Sequence, residues 1–144
     1  MDQFQESVMI ALLPTTSEWC HIDLPHMTLV YVGEIPDLPP TLHNVIAKQI
    51  LSIALACSTL TLDVLGLELF GDNKDTEVFT LGTNPQLLAM RAMVEQWNAS
   101  EYEFNPHVTI GPIGSFAGNQ PMSITFDRVA IGWGEDLLEF KFIS

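Results

Sequence analysis

Pro25-His26-Met27-Thr28-Leu29 and its echo, Pro106-His107-Val108-Thr109-Ile110, decide how this chain is read. Each copy runs proline, histidine, apolar, threonine, apolar. Side chains alternate between the faces of an extended strand, so His26 shares a face with Thr28 while Met27 and Leu29 take the other. The second copy sorts the same way, His107 with Thr109 against Val108 and Ile110. Laid near each other, two such strands bring two imidazoles and two hydroxyls to one point. Near neutral pH one imidazole can accept a proton while the other supplies one. The hydroxyls can donate to phosphate oxygens where charge builds. Which histidine takes which role is left open.

Working outward, Ser7 to Leu13 is a short apolar run closed by Pro14 and reads as a buried strand. Thr15 to Leu24 reads as a loop, and Pro25 sets an extended approach to the first motif strand, His26 to Val32, which stops at Gly33. Thr41 is a candidate N-cap. From there Leu42, Val45, Ile46, Ile50, Ile53 and Ala54 recur at helical spacing to about Cys57, and Val45 to Cys57 reads as a buried helix. Leu60, Leu62 and Val64 alternate as a strand that continues through Leu67 and Leu69 after a bulge at Gly66. Glu77 to Leu81 is its partner. Asn84-Pro85 opens a second helix with Leu87, Met90, Val94 and Trp97 on one face. The second motif strand starts at His107, and Gly111 to Pro121 reads as a mobile loop. Ile124 to Trp133 is a long strand whose alternation slips once, and Leu138 to Phe142 is the last strand. The order β, β, α, β, β, α, β, β, β is an α+β arrangement in one domain, residues 1–144. It divides near residue 72 into two halves, 1–72 and 73–144, each with one motif strand and one long helix. Two lobes with a cleft between them follow.

The net charge is −13, from 18 acids against 5 bases, and those bases are scattered. Long nucleic acids are held in basic grooves, so a small phosphate-bearing molecule in a pocket is the expected partner, and a long nucleic acid is not. The two cysteines, Cys20 and Cys57, are too few and too far apart for a disulfide framework, which points to a reducing, cytoplasmic setting. The start of the chain lacks the basic character of a signal peptide, and no apolar run approaches the ~18 residues of a membrane span. No metal-ligand set and no Gly-rich phosphate loop are visible, so neither a metal nor a cofactor is expected. Neither cysteine has the flanks of a nucleophile. His21 and His43 lack the motif context and read as surface residues.

These paired motifs resemble those of the two-histidine (2H) phosphoesterase superfamily, the LigT-like or 2′-5′ RNA ligase-like proteins. The resemblance rests on Asn105-Pro106-His107-Val108-Thr109-Ile110 and on His26-Met27-Thr28-Leu29-Val30-Tyr31-Val32-Gly33, and spans roughly Ser7 to Phe142. It implies a bilobal, pseudo-symmetric α+β fold of two antiparallel sheets with helices outside and a central cleft. It also implies metal-independent cleavage of 2′,3′-cyclic phosphates, 2′-5′ linkages or 3′-5′ linkages. His26 and His107 would be the catalytic acid–base pair, with Thr28 and Thr109 on the phosphate. The short, acidic chain and the ending Val-Ala-Ile-Gly-Trp-Gly-Glu look more like phage-encoded members, some of which destroy the cyclic oligonucleotide messengers of bacterial immunity (anti-CBASS nucleases). That likeness favours a cyclic di- or oligonucleotide substrate, met in the host cytoplasm.

For base recognition the sequence offers Trp133 and Tyr31 as stacking partners, Glu135 as an acceptor for an amino group, and Trp19 as a lid. Strict alternation puts Tyr31 on the face away from His26, so it reaches the site only if the strand twists or bulges. Three rivals stand beside the favoured substrate. One is a terminal 2′,3′-cyclic phosphate or 2′-5′ oligoadenylate. Another is a module that sequesters a nucleotide without cutting it. The last is an interaction protein with an acidic face.

Overall fold

Strand β3 (Leu60–Phe70) is the hinge of the architecture. Its first residues, Leu60 to Asp63, pair with β6 (Ser123–Trp133), and the rest pairs with β4 (Thr76–Leu81). The changeover falls between Asp63 and Val64, and just after it the ladder with β4 skips Leu65, a bulge next to the expected Gly66. The computed structural model describes residues 6–20, 22–116 and 118–143. Within them the sheet runs β2-β1-β6-β3-β4-β5, with β7 (Asp136–Lys141) added on β6 and every pair antiparallel. Here β1 is Ser7–Pro14, β2 is Met27–Glu34 and β5 is His107–Pro112. One sheet therefore holds β1, β2, β6, β7 and the start of β3, and the other holds the end of β3 with β4 and β5. The two motif strands are the two ends of this path, and the bend at β3 brings their Cα atoms within 8 Å of each other.

This is the expected α+β, two-sheet arrangement, in the expected element order. The sheets do not divide at residue 72, however. β6 and β7, from the second half of the chain, complete the sheet that β1 and β2 begin. The midpoint thus separates the motif copies but not the packing units.

Helix α1 (Leu42–Ala56) lies over β6 and β7 and buries Ile46, Ile50, Ile53 and Ala54, a single stripe at helical spacing. Val45, Leu51 and Leu55 stay exposed, so the helix is amphipathic rather than buried. Thr41 makes no cap bond and has helical dihedrals. The turn before it supplies main-chain acceptors instead, from Pro39 to the Leu42 N–H and from Pro40 to the His43 N–H. Helix α2 (Pro85–Val94) starts as expected: the Asn84 carboxamide accepts from the Leu87 N–H at 2.8 Å, and Pro85 needs no acceptor. It ends at Val94, and Trp97 falls in a following 3-10 turn, packed on the core. The slip expected in β6 is at Asp127, which the β1–β6 ladder skips. Within the loop read as mobile, Phe116 is held: its N–H donates to the buried Glu77 carboxylate at 2.9 Å, and its ring meets Phe79 edge-on at 5.2 Å. Among the described residues no helix is long and apolar enough to cross a membrane.

Candidate active site

The two motif histidines are held in the same way, His26 one residue ahead of β2 rather than in it and His107 as the first residue of β5. Nδ1 of His26 lies 2.8 Å from the Leu24 carbonyl oxygen, and Nδ1 of His107 lies 2.7 Å from that of Asn105. A carbonyl can only accept, so each Nδ1 carries a proton and donates it. Each Nε2 is therefore the nitrogen left to work, a lone pair in the neutral ring and an N–H in the charged one. Both anchors come from the main chain two residues earlier, which fixes ring tautomer and orientation without a second side chain. The ring of Phe70, from the end of β3, packs against His107 with centroids 4.7 Å apart.

The histidines also feel each other. Burial holds the His26 imidazole below its ordinary pKa, and the bond to Leu24 partly offsets this. The His107 charge then lowers it further. His26 is thus the ring kept neutral near pH 7. The Thr28 hydroxyl meets nothing better than the Met9 sulfur, at 3.7 Å, so it is free to exchange that weak contact for a stronger acceptor. Thr109 faces the same side as His107 and lies across β4 from Val78, while His107 lies opposite Thr80. Behind Thr109, the Cys20 thiol points at its carbonyl at 3.7 Å, and burial raises the thiol pKa, which disfavours a nucleophilic thiolate.

A cavity of about 980 Å³ opens here; Thr28 and His107 line it, while His26 and Thr109 are not among its lining residues. Tyr31 lines it too, for a reason the sequence does not display. The β1–β2 ladder pairs Ala11 with Thr28 but Met9 with Tyr31, so one extra residue is accommodated at Leu29. That bulge turns Tyr31 onto the Thr28 face. The Tyr31 hydroxyl then donates to Glu34 at 2.9 Å, which fixes the ring.

The other three proposed base contacts are not at the cavity. Trp133 pairs with Val8, on the opposite face of the sheet from Met9 and Thr28, and its ring meets His43 of α1 edge-on at 5.3 Å. Trp19 is buried in the core against Phe79, centroids 6.0 Å apart. Glu135 is exposed in the β6–β7 turn, beyond Trp133. His43 is partly covered by its contact with Trp133, and His21 lies outside the described residues.

Two contributors were missed. The segment Asn98 to Asn105, between α2 and β5, walls the cavity with Ser100, Tyr102 and Phe104. Arg91 of α2 lines it as well. A signal for Arg91 was present: it sits beside Leu87, Met90 and Val94 on the apolar face of its helix, where a charge is out of place. Among the described residues, no three His, Cys, Asp or Glu side chains converge as a metal site would require.

No family model matches the sequence, and no curated protein matches it. The likeness is in three dimensions. Usb1 of Kluyveromyces marxianus superposes with a TM-score of 0.63 at 9% identity, covering 96% of this chain and 99% of that one. LigT of E. coli, in complex with 3′-AMP, superposes with a TM-score of 0.59 at 14% identity, again over 96% of this chain and 99% of that one. TT0787 of Thermus thermophilus gives 0.57 at 12% identity over 94% of each chain. Over nearly its whole length, then, the chain has the fold of the LigT and Usb1 structures, the fold that the paired His-x-Thr motifs imply.

Proposed function

We propose that this chain is a metal-independent phosphodiesterase of the 2H class that cleaves a small nucleotide. The observation that carries the reading is the matched pair of imidazoles, each fixed through Nδ1 to the main chain, at the heads of two neighbouring strands whose Thr28 and His107 line one cavity. His26, held neutral, is the base: its Nε2 takes the proton from a ribose hydroxyl or a water as that oxygen bonds to phosphorus. His107 is the acid: its Nε2–H goes to the leaving oxygen as the old P–O bond breaks. The pair ends with the proton exchanged, His26 charged and His107 neutral, and solvent resets it. Thr28 and Thr109 donate to the non-bridging oxygens, where negative charge grows in the transition state. Two imidazoles supply both proton transfers, so the scheme requires no metal.

The favoured substrate is a cyclic di- or oligonucleotide, the anti-CBASS type of messenger, met in the host cytoplasm. The cavity is at the upper end of small-molecule sites, about 300–1,000 Å³, which leaves room for more than one nucleotide. Aromatic rings line it at Tyr31, Tyr102 and Phe104. The net charge of −13 disfavours a long polyanion. The second reading, an RNA end or 2′,3′-cyclic phosphate, is favoured by the mononucleotides bound to the neighbours, 3′-AMP in LigT and uridine monophosphate in Usb1.

The test is chromatography of a nucleotide panel after incubation in EDTA. The panel holds cyclic di- and trinucleotides, 2′-5′ oligoadenylate and a 2′,3′-cyclic mononucleotide. Cleavage of one class, lost in His26→Ala and His107→Ala, is the expected result and names the substrate. A nucleotide retained stoichiometrically and uncut would contradict catalysis and leave a sequestering module.

A further inference from the structure

Arg91 is a largely buried cation in the wall of the cavity, paired with a single exposed carboxylate. The residue is 9% exposed, and its Nε has no hydrogen-bond partner. Nη1 pairs with the Glu95 carboxylate one turn along, and that carboxylate is well exposed and screened, so it offsets only part of the buried charge. The guanidinium lies over the Phe104 ring, 5.1 Å from its centroid, which orients the plane without satisfying its N–H groups. Burying a charge this way is destabilising unless something completes it. Among the described residues lining the cavity, Arg91 is the one Lys or Arg. Lining the same cavity, the Ser100 hydroxyl accepts from the Tyr102 N–H at 3.2 Å, so its own proton is available to a ligand. Asn98 fixes that loop by bonding to both the N–H and the carbonyl of Ser100.

The missing partner is an anion with several acceptor oxygens, and a phosphate fits a guanidinium fork best. We propose that Arg91, with Ser100, forms a second phosphate subsite in the cavity that His107 and Thr28 line. The substrate class is then a nucleotide with two phosphates, one at the histidine pair and one at Arg91, as in a cyclic or linear dinucleotide. The inference rests on the phosphodiesterase reading for the first site. Asp72 and Glu103 also line the cavity, and their carboxylates disfavour a phosphate away from the histidine pair and the cation.

Calorimetry with two uncut ligands tests this apart from catalysis. Adenosine 3′,5′-bisphosphate and adenosine 3′-monophosphate share one phosphate and differ by the second. In the wild-type protein the bisphosphate is expected to bind tighter by about ten- to a hundred-fold, the range for hydrogen bonds to a charged group. In Arg91→Met that preference collapses towards parity, and Arg91→Lys keeps part of it. The melting temperature of Arg91→Met is expected to hold or rise, because a buried charge held by one exposed carboxylate has been replaced by an apolar chain of similar length. No preference in the wild type, or a preference that survives in Arg91→Met, overturns the subsite. So does a fall in melting temperature with both ligands weakened in parallel, which marks a structural role. If the preference behaves as expected but His26→Ala still cleaves, the phosphodiesterase scheme fails while the subsite stands.

Discussion

Replacing Tyr31 by alanine tests the register of β2 and the assignment of the cavity together. The ring reaches the Thr28 face only because of the bulge at Leu29, and its hydroxyl bond to Glu34 pre-sets its orientation. A base stacked on an aromatic ring is worth ~1–3 kcal/mol, so Tyr31→Ala should weaken substrate binding by about 5- to 150-fold. Tyr31→Phe keeps the ring and loses one exposed hydrogen bond, worth roughly 0.5–1 kcal/mol, so its effect should be about two- to five-fold. Trp133→Phe serves as the contrast, since that ring faces α1 on the opposite side of the sheet. The assay is steady-state cleavage of the best panel substrate, with KM and kcat measured separately. The expected pattern is a large rise in KM for Tyr31→Ala, a small one for Tyr31→Phe and none for Trp133→Phe. An unchanged KM in Tyr31→Ala would refute the stacking role. A large change in Trp133→Phe would refute the assignment of faces.

Further expectations concern protons, positioning and the fold. The neutral form of His26 is favoured in the folded protein, so its contribution to stability is complete above the ordinary imidazole value of about 6.5 and is lost as pH falls from there through its lower folded value. The same protonation removes the base, so the acidic limb of kcat/KM should lie below that ordinary value. His107→Gln removes the opposing charge, and an NMR titration of His26 should move upward; no movement would contradict the coupling. Phe70→Ala removes the ring that braces His107, an aromatic contact worth about 0.5–1.5 kcal/mol, and should lower kcat by about two- to ten-fold with little change in KM. Asn84→Ala removes the α2 cap at a cost of ~1 kcal/mol, which lowers the melting temperature by about 3 °C in a chain of 144 residues and should leave activity intact at 25 °C.

Much of the architecture was legible because local chemistry and tertiary packing agree. Alternation set the faces of β5, proline and asparagine marked the start of α2, and a glycine inside an alternating run marked the bulge in β3. The features that escaped are those fixed from outside the local sequence. Nothing in Met-Thr-Leu-Val-Tyr-Val announces the bulge at Leu29, which is set by how β2 pairs with β1, so strict alternation turned Tyr31 the wrong way. Trp19 lies in a loop with no periodicity, and only the position of Phe79 shows that it belongs to the core. Trp133 and Glu135 were attractive for their chemistry, but pairing to β1 puts Trp133 on the helix-covered face. Arg91 was one of five bases that look scattered along the chain, and folding brings it to the cavity.

The central claim is that His26 and His107 act as one acid–base unit. It is tested most directly by single-turnover cleavage in EDTA with His26→Ala, His107→Ala and the double variant. Each single variant should lose about two to four decades in rate, the contribution of a positioned acid or base. The double variant should lose little more, because residues that act in one step do not contribute independently. A single variant that keeps most of its activity, or losses that multiply in the double variant, would contradict the account.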